Sequence, residues 1–236
     1  MSSSTHLGAG LVAPARTAGP DVPPAGQRTT ATGPHPRRRL LVGAAVVAPV
    51  ALAVQYALSP AGLPRDESVA FLAGVGEHPT RYTIALVAYL VAMTAGVAVA
   101  ATIALAARRG SPWLSGAAAT LLVVGSIGGG GFAGLRLVAA VLAESGGPGA
   151  AGVWTAVQDG TPFAVLGSFV LCAVLGTLVA TAALVRARRD VTVWAAPLYL
   201  AGFVLTSGEF PVVVSVLGGA VQLAALLPVA RAALRD

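Results

Sequence analysis

Charged positions are nearly absent from six long stretches of this chain, and the uncharged runs recur at lengths that suit a bilayer. Apolar residues fill Leu40–Leu58, Tyr82–Ala107, Pro112–Ala143, Pro162–Val185, Val191–Ser207 and Pro211–Ala230. About 20 apolar residues cross the ~30 Å hydrocarbon core as a helix. The pattern therefore predicts an all-α polytopic bundle of six transmembrane helices. The fifth run is short, and it could form a re-entrant pair with the sixth. Gly208-Glu209-Phe210-Pro211 separates the two well enough to favour two spans.

Polar residues mark where several of these helices begin. Ser111-Pro112, Thr161-Pro162 and His78-Pro79-Thr80 put proline near a first turn, where its missing N–H costs nothing. Asp190 is a candidate N-cap for the fifth span. Pro49 and Pro197 fall inside spans and are expected to kink them.

Residues 1–36 read differently. They are rich in Ser, Thr, Ala, Gly and Pro with little large apolar content, so burial cannot offset their ordering entropy and a disordered tail is expected. The tail leads into Arg37-Arg38-Arg39 and "LLVGAAVVAPVALAVQYAL", which has the outline of a signal peptide with an overlong basic region. Further spans follow, so a retained first span is the expectation, and residues 37–236 form the transmembrane domain.

Composition agrees. Hydrophobic residues make up 56% and charged residues only 10%, with mean hydropathy +0.81; soluble domains carry about 25% charged residues. The net charge of +6 does not point to nucleic acid, because the fifteen basic residues, all arginine, sit in short clusters between apolar runs. With the N-terminus inside, cytoplasmic segments hold twelve arginines and external ones hold Arg65, Arg81 and Arg136. The positive-inside rule then puts both termini on the cytoplasmic side of the membrane. Trp113, Trp194, Tyr56 and Tyr82 fall at span ends, as interfacial aromatics do.

The stretch "GSIGGGGFAGLR", Gly125 to Arg136, is the exception inside a span. Helices in lipid associate by close backbone approach, which small residues permit. Gly125, Gly129, Gly130 and Gly134 are therefore helix-packing candidates, and the third span is expected at the centre of the bundle. A kink at the glycine run is the alternative. At ~1.5 Å per residue from Pro112, Arg136 lies roughly 36 Å along a straight helix, near the outer edge of the hydrocarbon. It reads as an interfacial anchor or salt-bridge partner of Glu209, Glu77 or Glu144, or as a contact for a ligand anion.

Six of nine acidic residues, with His78, Arg81 and Arg136, gather on the expected outer side. "GEHPTRY", Gly76 to Tyr82, is densest, but Glu77 and His78 are adjacent and make a poor metal pair, so a solvated loop is expected. No histidine lies within a span, which argues against paired-histidine haem. No lysine exists to form a Schiff base, and no carboxylate sits mid-span to relay protons or sodium. Among mid-span polar residues, Gln222 stands out as needing several partners. No catalytic motif, metal set or cofactor is read from the chain.

The order of features resembles six-span bacterial, especially actinobacterial, integral membrane proteins grouped as an uncharacterised domain family. A basic start precedes "FLAGVGEHPTRY", a second span closing on "LAARRG", a third ending near "FAGLRLV", a fourth closing on "ARARRD" and a fifth opening "VTVWAAPLYLAG". The resemblance spans about residues 37–234 and implies the topology alone. Three functional readings follow from the residues. The first binds a lipid or small amphiphile at the outer leaflet through Arg136, Glu209, Glu77, Tyr82 and Tyr56. The second is an accessory subunit packing its glycine-rich helix on a membrane protein partner. The third is a small enzyme acting on an apolar, terpene-like substrate with outer carboxylates.

Overall fold

The computed structural model describes residues 36–59, 68–147, 149–207 and 210–235. Residues 1–35, expected as a tail, and Glu209 lie outside them. The described residues form eight helices and no strand: α1 Pro36–Leu58, α2 Ser68–Glu77, α3 Pro79–Ala107, α4 Pro112–Ser145, α5 Ala150–Gln158, α6 Thr161–Arg186, α7 Ala195–Ser207 and α8 Val212–Arg235. Five of them, α1, α3, α4, α6 and α8, are long and apolar enough to cross a membrane. The all-α class is as expected, and the chain is a membrane protein.

Proline fixes three of the starts. Pro79, Pro112 and Pro162 each occupy the first or second helical position, where no intrahelical N–H bond is lost. The fifth expected span, 191–207, is a turn followed by the 13-residue α7, about 20 Å long and shorter than the ~30 Å hydrocarbon core. Pro197 lies in the first turn of α7 and so opens that helix; it is Pro49 of α1 and Pro228 of α8 that lie in helix interiors.

α3 runs antiparallel to α1 and α4, and α4 to α6, and glycine or alanine lets helices of this bundle approach closely. A Cβ built at Gly125 would lie 2.5 Å from the Ala173 Cβ and 2.7 Å from its Cα; one at Gly128 would strike Phe169, and one at Gly131 would strike Leu166. These contacts form the α4–α6 seam. On another side of α4, a Cβ at Gly129 would run into Met93 of α3, and Gly96 of α3 faces Ser126. On α7 and α8, a Cβ built at Gly202 would lie 2.5 Å from the Gln222 Cγ, so the backbone of α7 covers that polar side chain's stem. The helix touching the most spans is α3, against α1, α4, α6 and α8. α4 is thus packed on more than one side, but the centre belongs to α3, because α1 and α8 close the bundle there.

The arginine clusters gather at one end. Gly110, in the turn between α3 and α4, meets Ala187 at the end of α6, with a built Cβ 2.9 Å from the Ala187 Cα. The core near this end is alanine-rich, including Ala100, Ala107, Ala118, Ala180, Ala183 and Ala225, all fully enclosed. At the opposite end a smaller cluster of Leu72, Ala139 and Trp154 joins α2 and α5 to the last turns of α4. Those two short helices stand where the sequence suggested only loops.

Candidate functional site

Arg136 is half-buried on α4 near the end opposite the arginine clusters. Its guanidinium lies over the ring of Tyr89, 4.4 Å from the centroid, within the range of an attractive cation–π contact. Gly129, two turns earlier on α4, lies beside this pair: a Cβ there would stand in ordinary contact with the Tyr89 hydroxyl, at 3.5 Å, and would collide with Met93. The Tyr82 hydroxyl, two turns earlier on the same face of α3, donates to the Arg136 carbonyl oxygen at 3.1 Å. Two tyrosines of α3 therefore hold the backbone and the charged head of one α4 residue.

The surroundings of Tyr82 are aromatic. Phe71 of α2 meets its ring edge-on at 6.4 Å and stacks on Trp154 of α5 at 5.4 Å. The Ser68 and Thr155 hydroxyls share a hydrogen bond of 2.8 Å between α2 and α5. Tyr82 and Trp154 are buried, so the arginine's neighbours on this side form a fixed wall.

The other expected site residues divide. Tyr56 is on α1 at the same end: its hydroxyl donates to the Thr206 carbonyl oxygen near the end of α7. Beside it, Arg81 donates to the Ala57 carbonyl oxygen at 2.9 Å, so Tyr56 and Tyr82 stand on adjoining turns of α1 and α3. Glu77 is exposed at the end of α2, and Glu144 is exposed near the end of α4. No group of three or more potential metal ligands occurs among the described residues.

Of the four glycines expected to pack helices, Gly125 and Gly129 lie where an added Cβ would meet a neighbouring helix. At Gly130 and Gly134 it would meet nothing within 4 Å among the described residues. Successive residues turn about 100° around a helix axis, which carries these two to the face of exposed Ile127, Leu137 and Val141. Gly128 and Gly131 take the packing roles instead. Tyr89 and Gln55 were also missed as site neighbours. Gln55 is 2% exposed and donates to the Ser59 hydroxyl at 2.7 Å; a lone amide just before a tyrosine near the end of an apolar run is the only sequence signal for it.

No family model, curated protein or solved structure matches the chain.

Proposed function

We propose that this is a lipid- or amphiphile-binding membrane protein, oriented with its arginine-rich end in the cytoplasm and taking an anionic ligand at Arg136 on the outer leaflet. The observation that carries this reading is the stacking of Arg136 on Tyr89. A guanidinium uses its face in such a contact, while its five N–H donors lie in the plane. Those donors suit the oxygens of a phosphate or carboxylate. Arg136 sits about 36 Å along α4 from Pro112, a depth that matches lipid headgroups across a ~30 Å core. Half-buried Phe71, edge-on to Tyr82, offers an amphiphile an apolar group on that side.

The test is native mass spectrometry of the protein released gently from its own membrane. An anionic adduct is expected on the wild type and, with a charge-assisted contact removed, at about tenfold lower occupancy in Arg136→Ala. Equal adducts on both forms would sink the reading. A second reading rests on a different observation: the Gly130–Gly134 notch is open and flanked by exposed Ile127 and Leu137, the form a small-residue helix docking face takes. The same spectra distinguish it, because an accessory subunit would carry a partner protein that Gly134→Ile releases while the lipid adduct remains.

A further inference from the structure

At the arginine-rich end, α1 and α3 border an open recess of about 330 Å³, lined by Arg37, Arg38, Leu41, Leu105 and Arg108. Three arginines thus line one shallow space, Arg37 and Arg108 exposed to it, while Arg38 and Arg108 also keep contacts within the protein. Arg37 and Arg38 also stand in the first turn of α1, where the positive end of the helix opposes cations and favours an anion. Among the described residues, no carboxylate belongs to the lining. Leu41 is one turn further into α1 than Arg37, and Leu105 is one turn before Arg108. Both leucines therefore stand on the bilayer side of the charges.

We propose that this recess is a second binding site, separate from the one at Arg136, and that it takes a phosphate-bearing anion. Phosphate oxygens accept from arginine forks bidentately, and each guanidinium has donors enough to keep a contact within the protein as well. The leucines suit the first methylenes of an acyl chain, which favours the phosphate of an anionic phospholipid over a free ion.

The full chain in phosphatidylcholine nanodiscs is titrated with phosphatidylglycerol and, separately, with inorganic phosphate at constant ionic strength. Retained lipid is counted by native mass spectrometry and phosphate binding is read by calorimetry. Arg37→Gln and Arg108→Gln are expected to bind about tenfold more weakly than wild type. Arg186→Gln removes the same charge from an exposed position outside the recess and is expected to stay within about twofold. Phosphate binding as tight as lipid binding, with the same loss in the variants, would keep the site and assign it to a free anion. If Arg186→Gln loses as much as the recess variants, or if no variant loses any, the proposal is overturned. Should Arg108→Gln fail to fold, exposed Arg37 carries the test. Because Arg136 is at the opposite end, its substitution reports on the other site alone.

Discussion

Gly125 and Gly134 are nine residues apart on one helix, and the surroundings of each give their substitutions opposite consequences. At Gly125 an added methyl meets Ala173 backbone as well as side chain, and backbone cannot step aside without parting α4 from α6. At Gly134 it meets nothing, and replacing glycine by alanine in a helix is worth about 1 kcal/mol. Gly125→Ala is therefore expected to lower stability by about 1–3 kcal/mol through overpacking, and Gly134→Ala to leave it unchanged or raise it. Thermal melting in detergent, followed by circular dichroism, checks both; an equal loss at the two positions would contradict the packing described. Such differences were only half legible in the sequence. The composition of "GSIGGGGFAG" announces close approach, but which glycine meets a helix and which meets lipid depends on register between α4 and α6, which residue types do not encode locally. Arg136 was legible as a candidate, whereas Tyr89 beneath it was one apolar-span tyrosine among several.

Among the elements, α7 depends most on its neighbours. It has 13 residues, and isolated helices shorter than ~12–15 residues are marginal. Its start is held by buried Val191 and Ala195 and its middle by Gly202 against α8, while the Tyr56 hydroxyl ties Thr206 near its end to α1. Tyr56→Phe removes that hydrogen bond, worth about 1 kcal/mol. Amide exchange is expected to quicken about fivefold in the last turn of α7 and to stay constant in α3 and α4, as hydrogen–deuterium exchange in nanodiscs would report. Long elements were readable because twenty uncharged residues in a row allow little else, and their prolines marked the first turns. The short α2 and α5 were not. At 10 and 9 residues they cannot span, and their helicity comes from packing Leu72 and Trp154 on Ala139, a tertiary cause.

For the whole molecule, charge and topology agree on one axis. The turns carrying Arg108–Arg109 and Arg186–Arg189 touch through Gly110 and Ala187, and α1 brings Arg37 and Arg38 beside Arg108. The proposed orientation places that end in the cytoplasm. In a Cys172→Ala background, a membrane-impermeant maleimide applied to intact cells is expected to label Ser145→Cys and to spare Ser111→Cys until the cells are opened. The reverse pattern would invert the molecule and move the Arg136 site to the inner leaflet.

The α4–α6 seam also constrains how this protein can vary. Every single-nucleotide change that alters a glycine codon to another amino acid adds at least a β-carbon, so Gly125, Gly128 and Gly131 have no smaller neighbour in the genetic code to drift through. Where Ala173 or Phe169 already occupies that space, mutational supply offers only larger residues. Relief must come from a second change on the facing helix, so the two helices are bound to diverge in pairs of substitutions.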